Sequence, residues 1–85
     1  MDTITYDNPS KIYVTVKAIF YADGLLRPMS IIWEDDREYT IDKVTDIRRA
    51  ASLKAGGTGL RYTCRINGKD TYLFLEEGRW FVERK

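Results

Sequence analysis

Leu60-Arg61-Tyr62-Thr63-Cys64-Arg65-Ile66-Asn67-Gly68-Lys69-Asp70-Thr71-Tyr72-Leu73-Phe74-Leu75 is the stretch on which the fold turns. Its first arm places Leu60, Tyr62, Cys64 and Ile66 on one side and Arg61, Thr63 and Arg65 on the other, the period of a strand with one face in a core. Between the arms, Asn67-Gly68 suits a two-residue type I′ loop, which needs positive φ at both central positions. The register that follows pairs Cys64 with Thr71, Tyr62 with Leu73 and Leu60 with Leu75, and sets Arg65 across from Asp70. Glu77-Gly78 predicts a further hairpin, with Leu75 opposite Trp80, Leu73 opposite Val82, Phe74 opposite Phe81 and Glu76 opposite Arg79. The inner face is then Leu60, Tyr62, Leu73, Leu75, Trp80 and Val82.

Upstream the same period recurs. Ile12, Val14, Val16, Ala18 and Phe20 face one way, and Tyr13, Thr15, Lys17 and Ile19 the other. A type I′ loop at Asp23-Gly24 pairs Val14 with Trp33, Val16 with Ile31 and Ala18 with Met29. At Glu34-Asp35-Asp36 two loops compete. A two-residue loop sets Trp33 against Glu38. A three-residue loop with Asp36 in the left-handed region sets Trp33 against Arg37, Ile31 against Tyr39 and Met29 against Ile41. The second keeps the large apolar side chains on one face, and Asp tolerates that region better than most residues with a Cβ. Residues 44–58 fit a helix through Val44, Ile47 and Ala51, ended by Gly56-Gly57, or a strand through Ile47, Arg49, Ala51 and Leu53. The strand is preferred, because it joins the two meanders into one continuous sheet.

Two meanders, each apolar on one face, pack inner face to inner face. The expected fold is all-β, a small SH3-like or Sm-like barrel or a tight two-layer sandwich of five to seven antiparallel strands. The 85 residues make one domain, residues 11–85, behind an N-terminal arm at residues 1–10 that carries Asp7-Asn8-Pro9-Ser10. A chain this short buries a thin core.

Composition excludes much chemistry. With no histidine and one cysteine, the chain has no Ser-His or Cys-His pair, no imidazole metal ligand and no thiolate zinc site. No EF-hand spacing occurs. The expectation is no enzyme, no cofactor and no metal. Apolar runs are too short to span a membrane, the N-terminus does not read as a leader, and a lone thiol suits a reducing cytoplasm. Cys64 reads as an inert core thiol. Gly56-Gly57-Thr58-Gly59 lacks the Gly-Lys-Ser/Thr ending and the following helix of a phosphate loop. Asp35, Asp36 and Glu38 read as solvated turn acids with at most weak cation affinity.

Charge is the feature that points outward. Residues 43–69 hold seven Lys/Arg and one acid, whereas residues 1–42 hold four bases against eight acids, in a chain of net charge +1. Register places Arg61, Thr63, Arg65, Tyr72, Phe74 and Phe81 on the face opposite the core, with cations interleaved among flat rings, a layout used for single-stranded nucleic acid. Arg61, Arg65, Arg48 and Arg49, extended by Lys54, are the candidate phosphate contacts, and Tyr72 and Phe74 the candidate base contacts. Three readings compete with this one. The arginines pair with Asp70, Glu76 or Glu83, the acidic residues 1–42 lie against them, or Phe74 and Phe81 form a protein interface or homodimer seam. A fourth has the arm cover the rings through Ile4 and Tyr6.

Ile31-Ile32-Trp33-Glu34-Asp35, the run from Arg48 to Gly57, Arg61-Tyr62-Thr63-Cys64-Arg65-Ile66 and Arg79-Trp80-Phe81-Val82-Glu83 together resemble a family of short bacterial proteins, chiefly from Gram-positive anaerobes. The resemblance covers roughly residues 12–84. It implies a cytoplasmic, stand-alone small β domain, and no activity, cofactor or binding residue carries over with it. The family's glycine where this chain has Asp36 fits the left-handed assignment.

Overall fold

Alternation of apolar and polar side chains produces eight strands in a computed structural model that describes residues 11–49 and 59–83. They are β1 (Lys11–Tyr13), β2 (Thr15–Phe20), β3 (Leu26–Ile32), β4 (Glu38–Thr40), β5 (Lys43–Arg49), β6 (Gly59–Ile66), β7 (Lys69–Glu76) and β8 (Arg79–Glu83). Two antiparallel sheets result, a five-stranded one in the order β1-β8-β7-β6-β5 and a three-stranded one in the order β2-β3-β4. The all-β reading holds. The strand count exceeds the expected five to seven because two long strands change sheet at corners. At Val14 the chain leaves β1 for β2, its N–H donating to the Trp80 carbonyl at 3.1 Å. At Ile41-Asp42 it leaves β4 for β5: the Ile41 N–H still bonds Met29 (2.9 Å), and the next N–H bonds Arg65 (2.8 Å). Such corners join two packed layers. They also correct the expectation of one continuous sheet, and the sheets are not closed into a barrel.

The clearest hairpins stand as read. Asn67 and Gly68 have φ of 52° and 77°, Glu77 and Gly78 have 51° and 77°, and both loops are of type I′. Cys64 faces Thr71, Tyr62 faces Leu73, Leu75 faces Trp80 and Phe74 faces Phe81. Asp36 is left-handed at φ 65°, and Trp33 donates to the Arg37 carbonyl at 2.8 Å, so the three-residue loop is the one formed. Residues 43–49 are strand rather than helix, while the Ala51, Leu53 and Gly56-to-Thr58 readings lie outside the described residues, as does the arm.

The Asp23-Gly24 loop differs. Only Gly24 has positive φ, at 94°, and Tyr21 donates to Leu25 at 2.8 Å, which gives a three-residue loop in place of type I′. Asp23 explains it: its carboxylate accepts the Leu25 N–H at 3.0 Å, as Asp35 accepts that of Arg37 at 3.0 Å in the other loop. The register is thereby offset by one and restored at a bulge, where Lys17 pairs with Ser30 but Ala18 with Pro28, leaving Met29 unmatched across β2. Pro28 has no N–H to give to a ladder, and bulges tolerate that defect. Val16 still faces Ile31, and Ala18 faces Pro28 in place of Met29. Phe20 is 73% exposed and Met29 is 37% exposed, so neither joins the core.

The core is Ile31, Ile41, Tyr62, Cys64, Leu73 and Val82, with Trp33, Trp80, Leu60 and Leu75 packed against it. Tyr62 ties the layers together. Its ring lies 5.5 Å from that of Trp80, and its hydroxyl donates to the Leu26 carbonyl of β3 at 2.7 Å.

Candidate functional site

The outer face of the five-stranded sheet carries one transverse row, set by register alone. Tyr13 faces Phe81, Phe81 faces Phe74, Phe74 faces Arg61 and Arg61 faces Arg48, across all five strands. A second row holds Lys43, Arg65 and Asp70, and between them lie Asp46, Thr63 and Tyr72. A bulge at Thr45 puts Asp46 and Arg48, rather than Ile47, on this face.

The row divides into a closed half and an open half. On the closed half Phe74 and Phe81 stack at 5.1 Å and 8°, and Tyr13 meets Phe81 edge-on at 5.7 Å. Lys11 sits 4.6 Å from the Phe81 centroid and 3.5 Å from Glu76, while Arg79 lies 3.6 Å above Tyr13. These are cation–π contacts that use up both charges and ring faces. Phe81 is 2% exposed, so it presents no surface to a second chain. Of the two rings expected at a seam, Phe74 alone remains partly exposed.

On the open half, Tyr72 is 50% exposed. The Arg61 guanidinium lies 4.5 Å from its centroid, and Arg61 Nε is buried with no hydrogen-bond partner among the described residues. Arg48 pairs with Asp46 at 2.8 Å and Arg65 with Asp70 at 3.1 Å, all four side chains well exposed. Four of the sequence-proposed residues (Arg48, Arg61, Arg65 and Tyr72) thus stand together. Phe74 borders them, half-buried, with one ring face stacked on Phe81. Arg49 faces Leu60, on the core side of the sheet, and does not join them. Lys54 lies outside the described residues. Lys43, opposite Arg65, was missed by sequence reasoning, since only the β5 register aligns it.

Elsewhere the chemistry is quiet. Cys64 is fully buried, and burial pushes its thiol up to about 11, away from the reactive thiolate. No group of three or more His, Cys, Asp or Glu that could hold a metal ion occurs among the described residues. No helix among them is long and apolar enough to cross a membrane.

Fold and face together define a small two-sheet β module with a cationic, ring-bearing surface. Compared with known proteins, the chain matches no family model, no curated protein and no solved structure.

Proposed function

We propose that this protein is a small bacterial cytoplasmic binding module, of SH3-like or Sm-like build, whose β5–β6–β7 outer face takes single-stranded nucleic acid. The observation that carries the reading is Arg61, held over half-exposed Tyr72 and flanked by Arg65 on its own strand and by Arg48 and Lys43 on β5. A base stacks on the exposed part of Tyr72, and phosphates take the guanidinium groups. The Arg48–Asp46 and Arg65–Asp70 pairs do not prevent this. Exposed ion pairs are worth about 0–1 kcal/mol, so an incoming phosphate displaces either carboxylate at small cost.

The test is titration of a labelled oligothymidylate at two salt concentrations. Four phosphate contacts give a slope of about −3 in log K against log salt, or roughly a 50-fold loss between about 50 and 200 mM. Arg65→Gln lowers that slope by about 0.7. Absence of binding at the lower salt ends the proposal.

A further inference from the structure

A second site lies away from the cationic face, at the corner where β1 becomes β2. We propose that the cleft between Trp33 and Trp80 binds a quaternary ammonium group. Its volume is about 610 Å³, within the range of small-molecule sites. Trp33 and Trp80 supply rings, Val14 and Val16 supply apolar wall, and Glu34 and Asp36 supply carboxylates, while Arg79, the one cation among the described lining residues, is held on Tyr13. A cation stripped of hydrogen-bond donors is held by ring faces and distant negative charge, not by directed hydrogen bonds, and indole is the strongest ring for the purpose.

Two observations favour this occupant. Arg79 is already engaged 3.6 Å above Tyr13, so among the described lining residues no free cation opposes a ligand cation. The turn's own base, Arg37, is engaged by Asp35 at 3.4 Å, whereas Glu34 and Asp36 have no ion-pair partner among the described residues. The carboxylates make the cleft disfavour polyanions, so the site is distinct from the face proposed for nucleic acid. A trimethylammonium headgroup of a lipid, free choline and trimethyl-lysine share this chemistry.

The chain's two tryptophans both line the cleft, so intrinsic fluorescence excited at the indole edge reports occupancy directly. The full chain is titrated with choline chloride and, in parallel, with 3,3-dimethylbutan-1-ol, the uncharged isostere, with sodium chloride holding ionic strength constant. The expected result is a saturable change with choline and at least about tenfold weaker response to the alcohol, in line with a charge-dependent contact. Glu34→Gln with Asp36→Asn weakens choline by several-fold; Asn keeps a residue that tolerates the left-handed turn. A trimethyl-lysine peptide and phosphatidylcholine vesicles, titrated the same way, show which source is preferred. No saturable response to any of the three into the millimolar range overturns the proposal, as does an equal response to the alcohol or an unchanged response in the double variant. Trp33→Leu, checked for an intact fold by its melting transition, must abolish the effect. Oligonucleotide binding is unaffected by either outcome, so the two sites fail or stand separately.

Discussion

Replacing Tyr62 by Phe removes one oxygen from the centre of the molecule. The ring stays against Trp80, and Tyr62 is 1% exposed, so no cavity of consequence opens. What is lost is the hydroxyl donated to Leu26 of the opposite sheet at 2.7 Å. The β4 strand pairs only with Ser30–Ile32, so it brings no donor to Leu26. A typical hydrogen bond contributes about 0.5–1.5 kcal/mol net, and a buried acceptor left unpaired costs about 1–3 kcal/mol. A loss of about 2 kcal/mol is therefore expected, a large share of the 5–10 kcal/mol or so that holds a small domain. At about 4–8 °C per kcal/mol for this size, Tm falls by roughly 8–16 °C. Urea unfolding followed by tryptophan fluorescence reads the change, with the m-value unchanged. If Tyr62→Phe lies within about 0.3 kcal/mol of the parent, the hydroxyl is not a tie between the sheets and the reasoning fails.

The other expectations rest on separate sites. Burial raises the Cys64 thiol to about 11 from 9.0, and burial also raises Tyr62, so the folded state holds protons that the unfolded state gives up. Stability is therefore full below about pH 9 and falls as pH rises from there towards 11; Cys64 accounts for up to about 2–3 kcal/mol of the loss, and Cys64→Ala flattens that limb in urea titrations. The Ser30 hydroxyl, and after it the Lys17 ammonium, hold the Glu38 carboxyl below its ordinary value. That contribution is present above the unfolded-state pKa and lost as pH falls through the folded one, and Ser30→Ala shifts the Glu38 titration upward by NMR. Glu77 occupies a positive-φ position of a type I′ loop, at 51°, where Asn is better suited. Glu77→Asn is expected to raise stability by about 0.5–1 kcal/mol, and a loss would contradict the assigned turn.

Much of this architecture was legible because β structure has a period of two and tight loops have strict φ demands. Asn67-Gly68 and Glu77-Gly78 determine their own registers, and from those the Arg61–Tyr72 side of the sheet follows. The Asp23-Gly24 loop misled because the dipeptide suits type I′, while the Asp23 carboxylate, by accepting the Leu25 N–H, favours the longer loop. Pro28 inside a strand was the available signal that a bulge would reset the pairing and set Ala18 against Pro28 rather than Met29. Phe74 and Phe81 read as exposed because alternation assigns a face without saying what else lies on it; Lys11 and Tyr13 arrive there through β1–β8 pairing across some seventy residues of chain.

Local stereochemistry, then, was enough to specify strands, most turns and which side chains share a surface. Long-range pairing alone decided the five-plus-three division of sheets, the corners at Val14 and Ile41-Asp42, and the cleft that Trp33 and Trp80 both line. The reason is physical: φ preferences and side-chain alternation act over a few residues, whereas the partner of an edge strand is chosen by whichever distant segment buries its apolar side best.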